Sequence, residues 1–167
     1  FSASDFSAAL SYARHLTDRF SIGANVKYIE QRIWNMKATS VAIDVGTLYR
    51  TPIEGLRIGT NISNFGSSMQ MTGKDVYEYH DIAPDKLGNN DQILAALKTD
   101  EYPLPLMFQA GIAYDLVRGK MNRITIAADA LSPSDNTQAI NTGIEYGLNS
   151  MIFIRGGLKS VFQQDTE

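Results

Sequence analysis

The 167-residue chain contains no cysteine, no long apolar run and no cluster of basic residues. The absence of cysteine excludes disulfides and thiolate metal sites. No stretch approaches the roughly 20 apolar residues of a membrane-spanning helix. Lys and Arg are scattered and the formal net charge is -3, so the basic surface typical of nucleic-acid binding is missing and we expect no nucleic-acid partner.

What the chain does have is a recurrent alternation of apolar and polar residues, the period-two pattern of β-strands. The pattern predicts eight strands at about residues 6–14, 20–33, 39–50, 56–65, 106–116, 123–131, 137–147 and 151–159. Helical periodicity occurs only in NNDQILAALK, residues 89–98, where Asn90 or Asp91 would cap a short helix. The sequence therefore predicts an all-β, antiparallel chain in up-and-down order.

The connections between these strands differ in length. HLTDR, TPIEG, VRGKMN and LN predict tight turns, whereas WNMKA, residues 66–105 and SPSDN predict longer loops. In an up-and-down order the two groups would lie at opposite ends of the strands. Outer-membrane β-barrels have this asymmetry, so the connections favour a barrel over a soluble meander.

Each predicted strand has one apolar and one polar face. The apolar face, predicted to contact lipid, carries Ile22, Val26, Val41, Ile43, Val45, Ile58, Ile62, Ile112, Ile126, Ile144 and Ile154. The polar face, predicted to line the lumen, carries Asn25, Lys27, Asp44, Arg57, Asn61, Gln109, Asp129, Asn141, Glu145 and Arg155. In a soluble sandwich the same apolar face would instead form the core, and the polar face would meet water.

Two further features favour the barrel. The predicted strands are longer than the usual five to six residues. Aromatic residues gather near strand ends, as in the interfacial girdles of membrane barrels: Phe20, Tyr49, Tyr114 and Tyr146 lie toward the tight turns, and Trp34 and Phe65 toward the longer loops.

Several blocks in colinear order resemble the PorV/PorQ family of bacterial outer-membrane proteins. They are LSYARHLTDRFSIGANVKYIEQRI, AIDVGTLYRTP, LRIGTNISNFG, YPLPLMFQAGIAYD, ITIAADALSPSDN and NTGIEYGL with IRGGLK after it. The resemblance implies a transmembrane antiparallel up-and-down β-barrel, similar to the 14-stranded FadL-type barrels. Residues 1–167 would then form a single β-barrel domain, supplying about eight strands as a contiguous middle portion. A complete eight-stranded barrel is the alternative.

The same resemblance implies a location in the bacterial outer membrane, in contact with its lipid. PorV-like proteins belong to the type IX secretion system, where they accept secreted cargo and pass it on at the cell surface. We therefore expect envelope or secreted protein partners. Two other functions stay open: a FadL-like channel for hydrophobic small molecules, and a structural subunit of an envelope assembly.

No catalytic constellation emerges from the residues. His15 and Asp18 lie in one tight turn, and polar residues in an ordinary turn at the membrane interface explain them better than a general base does. His80 has no catalytic partner that the sequence identifies. The carboxylates on the polar face are matched by basic residues on the same face, which predicts internal ion pairs and not acid–base catalysis. SPSDN and LGNNDQ lack the spacing of a calcium loop. We expect neither an enzyme, nor a metal site, nor a cofactor.

The segment 66–105 is predicted to be a long extracellular loop. Loops of this length in compact folds are usually functional or disordered. Its apolar residues are predicted to dock a partner or to form a lid over the barrel mouth, the alternative being a plug that only seals the barrel. They are Met69, Met71, Tyr77, Tyr79, Leu94 and Leu97.

Overall fold

The computed structural model describes residues 2–82, 85, 93–119 and 121–161. The chain divides into two compact units. The first contains residues 1–9, 27–42 and 66–104, and the second contains residues 10–26, 43–65 and 105–167.

Eight long strands form the main sheet. They are β1 (Ala3–His15), β2 (Phe20–Ile33), β3 (Met36–Arg50), β4 (Leu56–Gly66), β10 (Met107–Arg118), β11 (Asn122–Pro133), β12 (Ala139–Leu148) and β13 (Ile152–Val161). Their order in the sheet is β1-β2-β3-β4-β10-β11-β12-β13, so each pairs with the next long strand along the chain. The all-β, antiparallel, sequential order predicted from the alternation is confirmed, and so are all eight strands.

The segment between β4 and β10 is built from short elements. Strands β5 (Met69–Gln70) and β9 (Glu101–Tyr102) pair with each other, and β6 (Thr72–Gly73) pairs with β3. A 3₁₀ turn over Lys74–Val76 leads into β7 (Tyr77–His80), which pairs with β8 (Ile93–Ala96). We call this segment, residues 66–105, the insert, and the β7–β8 pair the insert hairpin.

The predicted helix over residues 89–98 is wrong where the structure describes it. Ile93–Ala96 form strand β8, and residues 89–92 lie outside the described residues. A single short helix is marginal in water, because its nucleation is costly. Pairing with Tyr77–His80 supplies hydrogen bonds and side-chain contacts that outweigh the local periodicity.

The WNMKA connection is also shorter than predicted. β2 ends at Ile33 and β3 begins at Met36, so only Trp34 and Asn35 form the turn. Trp34 adopts a positive φ of 54°, the conformation that closes two-residue hairpins. SPSDN, predicted to be a longer loop, has the same five residues as the tight turn TPIEG. The predicted difference in length between the two groups of connections therefore depends on the insert alone.

The described residues contain very little apolar core. The apolar side chains that are fully shielded there are Ala38, Ala42, Met69 and Ala139, of which only Met69 is large. A sheet normally buries one apolar face against a second layer. In the part of the chain that the structure describes, the large apolar side chains of the main sheet are instead mostly exposed.

Candidate functional site: the polar strand face and the insert hairpin

The two faces of the main strands differ in exposure, in the sense opposite to an ordinary water-soluble sheet. Of the eleven residues predicted to face lipid, Ile22 is half-buried and the other ten are exposed, from 39% at Ile58 to 66% at Ile154. Of the ten predicted to face a lumen, nine are half-buried and Arg155 is exposed. The contacts of these faces with lipid or with a lumen remain predictions.

On the polar face, Asp44 of β3 organises a group of hydrogen bonds within the second unit. Its Oδ2 accepts from Asn25 Nδ2 at 2.9 Å, and its Oδ1 accepts from the backbone N–H of Asn64 at 2.8 Å. Ser11 Oγ donates to Asn25 Oδ1 at 3.0 Å. Asn64 has a positive φ of 64°, which Asn tolerates better than most residues, and its Nδ2 donates to the Pro105 carbonyl.

Two more carboxylates on this face each receive two donors. Asp129 Oδ2 accepts from Gln109 Nε2 at 3.2 Å and from Asn141 Nδ2 at 3.0 Å. Asp115 Oδ1 accepts from Arg57 Nη2 at 2.9 Å and from Thr125 Oγ1 at 2.7 Å. The pairing registers explain these contacts, since Asp129 lies opposite Asn141 and Asp115 lies opposite Thr125.

Glu145 of β12 forms the fourth group. Its two carboxylate oxygens accept from Arg123 Nη2 at 2.7 Å and from Arg155 Nε. Both guanidinium groups also lie over the ring of Phe153, with Cζ 5.5 and 5.6 Å from the ring centroid. Such cation–π contacts hold the two arginines in place beside the carboxylate.

A row of small residues crosses the polar face between these charged groups. Ala113, Ala127, Gly143 and Gly157 are directly paired across β10, β11, β12 and β13. They leave a cavity of about 600 Å³, whose lining includes Ala127, Gly143, Arg57, Arg123 and Arg155. The lining thus combines four charged side chains, those of the three arginines and Glu145, with small residues and Ile144.

The contacts on this face are ion pairs and hydrogen bonds between charged and polar side chains. Each of the four carboxylates accepts hydrogen bonds from two donors. Among the described residues no three His, Cys, Asp or Glu side chains come together to hold a metal ion. His15 Nδ1 shares a 2.7 Å hydrogen bond with Ser21 Oγ.

The base of the insert is tied to β2 and β3 within the first unit. Gln70 Nε2 donates to the Thr99 carbonyl, and Thr99 Oγ1 donates to the Met71 carbonyl, so the two halves of the insert hold each other. Tyr102 Oη donates to Gln31 Oε1 at 2.9 Å. Met69 is 2% exposed. The insert base is thus fixed by specific contacts on both of its halves.

The insert hairpin presents a different surface. Tyr77 pairs with Ala96 and Tyr79 with Leu94, so both tyrosines and Leu94 share one face. Tyr77, Tyr79 and Leu94 are 55%, 70% and 57% exposed, and Leu97, which follows β8, is 60% exposed. Of the six apolar insert residues named from the sequence, these four are exposed, Met71 is half-buried and Met69 is buried.

Among the charged residues that carry these contacts, sequence reasoning missed Asp115 and Arg123. Asp115 and Arg123 have the same parity along their strands as Gln109 and Thr125, so the alternation alone was enough to place them on that face. Asn25 with Asp44, Gln109 and Asn141 with Asp129, and Arg155 with Glu145 are brought together as neighbours. Lys27 also has an interaction partner.

Within its described ranges, the chain has no helix that is long and apolar enough to span a membrane. Comparisons of this chain with protein-family models, with curated proteins and with solved structures found no match.

Proposed function

We propose that this chain is part of a PorV/PorQ-like β-barrel of the bacterial outer membrane that binds secreted or envelope protein partners at the cell surface. The observation that carries the proposal is the reversed exposure of the main strands: their apolar face is open and their polar face is shielded. Lipid-facing apolar residues alternating with polar interior residues are typical of outer-membrane barrels.

The energetics of the apolar face support a membrane environment. Burying one Val, Leu, Ile or Phe side chain stabilises a protein by about 1.5–3 kcal/mol relative to leaving it in water. Net stabilities of folded domains are only about 5–15 kcal/mol. Because many large apolar side chains are exposed and the shielded core is small, the sheet needs an apolar medium or further protein against this face. A bilayer supplies that medium along the whole length of strands of 10–15 residues.

The insert supports the partner-binding part of the proposal. Its base is hydrogen-bonded on both halves, whereas the hairpin exposes Tyr77, Tyr79 and Leu94, and Leu97 directly after it is exposed as well. Exposed, clustered aromatic and aliphatic residues on a fixed support are typical of protein interaction sites. A fixed support lowers the ordering cost of binding.

The FadL-like channel is the competing proposal, and it requires an apolar path for its substrate. The 600 Å³ cavity on the polar face has three arginines and Glu145 in its lining, beside small residues and Ile144. These groups suit a charged or hydrated content better than a fatty acid. We therefore rank partner binding above transport of hydrophobic molecules.

The test uses the full-length protein in its own outer membranes, tagged and solubilised in mild detergent. A matched variant replaces residues 77–97 by a Gly-Ser linker, and a control variant replaces the loop of residues 134–138 in the same way. Proteins that co-purify are quantified by mass spectrometry.

Secreted or envelope proteins that co-purify with the wild type and with the loop control, but not with the hairpin-deleted variant, would support the proposal. Recovery of the barrel alone, with bound fatty acid or lipid, would contradict partner binding and favour the channel. Recovery of the protein in the soluble fraction would contradict the membrane location.

A further inference from the structure

Three arginines contribute to the lining of the cavity on the polar face. Arg57, Arg123 and Arg155 come from β4, β11 and β13, three different strands of the second unit. Glu145 is the one acidic residue in the described lining, so three Arg and one Glu give that lining a formal charge of +2. Counting Asp115, the partner of Arg57, still leaves a charge of +1. The cavity therefore holds more positive than negative charge.

The positive and negative groups of this cavity differ in exposure. The side chains of Asp115 and Glu145 are 16% and 20% exposed, whereas those of Arg57, Arg123 and Arg155 are 36%, 44% and 71% exposed. A molecule that enters the cavity therefore has more access to the arginines than to the carboxylates.

The arginines also have more hydrogen-bond donors than these carboxylates use. A guanidinium group carries five N–H donors, and among the described residues each arginine donates one hydrogen bond, to Asp115 or to Glu145. Arg57 Nε is shielded from solvent and has no partner there. Arg123 and Arg155 share the single carboxylate of Glu145, so one of their two charges has no counter-charge within this group.

The protein holds two of these arginines in place without a ligand. The guanidinium groups of Arg123 and Arg155 both lie over the ring of Phe153, and both donate to Glu145. The adjacent row of Ala and Gly residues leaves the neighbouring space unfilled. Side chains that are ordered before binding lose less conformational entropy when a ligand binds.

The strand registers fix how far apart the charged groups lie. Thr125 is directly opposite both Asp115 and Glu145 in the sheet. The Arg57–Asp115 pair and the Glu145 group therefore lie on either side of Thr125, two strands or roughly 10 Å apart, at about 4.8 Å per strand. That separation suits a small molecule lying between the two groups.

We propose that this cavity binds a small soluble phosphate monoester, whose phosphate contacts Arg123 and Arg155 while Arg57 adds positive charge from the other side. A phosphate monoester presents three strong acceptor oxygens and a charge of about -1.5 to -2 at pH 7. Planar guanidinium groups bind such oxygens through paired hydrogen bonds. A carboxylate has two oxygens and a single charge, so it would use fewer of the free donors. The cavity volume of about 600 Å³ also leaves room for an organic group beside the phosphate.

A lipid headgroup is a second source of the same phosphate chemistry. The cavity lies on the polar face of the strands, opposite the apolar residues that are predicted to contact lipid. A soluble ester is therefore the expected ligand, and the experiment below distinguishes the two sources. The inference does not depend on partner binding by the insert.

The test titrates the full-length protein, in phosphatidylcholine nanodiscs, with phenyl phosphate by isothermal calorimetry. At pH 8 the phosphate is a dianion, because its second pKa is about 6. Benzoate is the matched probe, with the same ring and a carboxylate. We expect phenyl phosphate to bind at least about tenfold more tightly than benzoate, and its binding to weaken as NaCl is raised, because salt screens the charges. The titration is repeated in nanodiscs that contain phosphatidic acid, where we expect the same affinity.

Matched variants locate the site. Arg123→Gln and Arg155→Gln should each weaken phenyl phosphate binding about tenfold or more, because each removes a charged donor. Arg155→Lys keeps the charge beside Glu145, and so preserves the fold, but should still weaken binding because an ammonium group lacks the planar pair of donors. Arg118→Gln, the same change at an arginine that pairs with Glu54 outside the cavity, should leave binding unchanged. Ala127→Leu should weaken binding by filling the cavity while all three arginines remain.

Benzoate that binds as tightly as phenyl phosphate would overturn the inference, and so would a failure of phenyl phosphate to bind. Unchanged binding in the Arg123 and Arg155 variants would overturn it as well. Loss of phenyl phosphate binding in nanodiscs that contain phosphatidic acid would overturn the soluble ligand and assign the site to a lipid headgroup. None of these results changes which proteins co-purify with the chain, so the proposed function stands or fails separately.

Discussion

Replacing Ile43 by Arg is the sharpest test of the predicted lipid-facing surface. Ile43 is the central residue of β3, which runs from Met36 to Arg50, and its side chain is 43% exposed. At about 3.3 Å per residue it lies roughly 23 Å along the strand from either end. With a tilt of about 45° that distance corresponds to a depth of about 16 Å, close to the middle of a bilayer core about 30 Å thick.

The expected cost follows from this depth. An Arg on the lipid face of a barrel costs about 2–4 kcal/mol at the midplane and about 0–1 kcal/mol near the interfaces. Because about 1.4 kcal/mol is a factor of ten, Ile43→Arg should lower the folded-to-unfolded ratio about 30- to 700-fold. Thr39→Arg is the matched control, since Thr39 is exposed and has the same parity but lies near the start of β3.

The assay is urea unfolding of the full-length protein in phosphatidylcholine vesicles, with the free energy of unfolding extrapolated to water. A loss of less than about 0.5 kcal/mol for Ile43→Arg, as on a water-exposed surface, would refute the lipid-facing assignment. Large and equal losses of stability for both variants would also refute the reasoning. Such losses would indicate that the face is buried against protein, where the cost of an Arg does not depend on its depth in a bilayer.

Two further predictions concern the same unfolding measurement. Asp115→Asn should lower stability by about 1–3 kcal/mol, because it leaves the half-buried Arg57 without its carboxylate; the exposed ion pair of Glu54 is the control, and Glu54→Gln should cost less than about 1 kcal/mol. Equal losses would contradict the importance of the polar-face groups. Gly66→Ala should destabilise the protein by about 1–3 kcal/mol, because its Cβ would overlap the β3 main chain. Gly59→Ala, whose Cβ would lie 3.6 Å from its nearest neighbour, should be nearly neutral, and a reversed order would contradict the packing at Gly66.

The long strands could be predicted because they need only local information. Apolar and polar residues alternate over whole strands, and Gly, Pro, Asn and Asp mark most of the turns. The connection at Trp34–Asn35 was predicted too long, because Trp34 adopts the positive φ that Gly usually supplies and is not itself a residue type that marks a tight turn. Strand β8 was misread because its stabilising partner, β7, lies beyond a stretch of sequence with no local signal for the pairing.

The polar groups illustrate a second limit of sequence reasoning. Alternation assigns Asp129 and Asn141 to one face, but their contact depends on the register between β11 and β12. The pairing of Arg57 with Asp115 additionally depends on which strand follows the insert in the sheet. Parity was therefore sufficient to place the residues on a face and insufficient to pair them.

The small β5–β9 pairing has a consequence for how the chain folds. Most neighbouring strands of the sheet are joined by turns of a few residues, but β4 and β10 must find each other across residues 67–106. Pairing Met69 with Tyr102 brings the ends of the intervening segment together before β10 begins. Doubling the length of a flexible loop adds only about 0.6 kcal/mol to the free-energy cost of closing it. We therefore expect that the segment between Gln70 and Glu101 can change in length or sequence while β4 and β10 keep their register. The β5–β9 pairing thus makes the pairing of β4 with β10 less dependent on the length of the segment between Gln70 and Glu101.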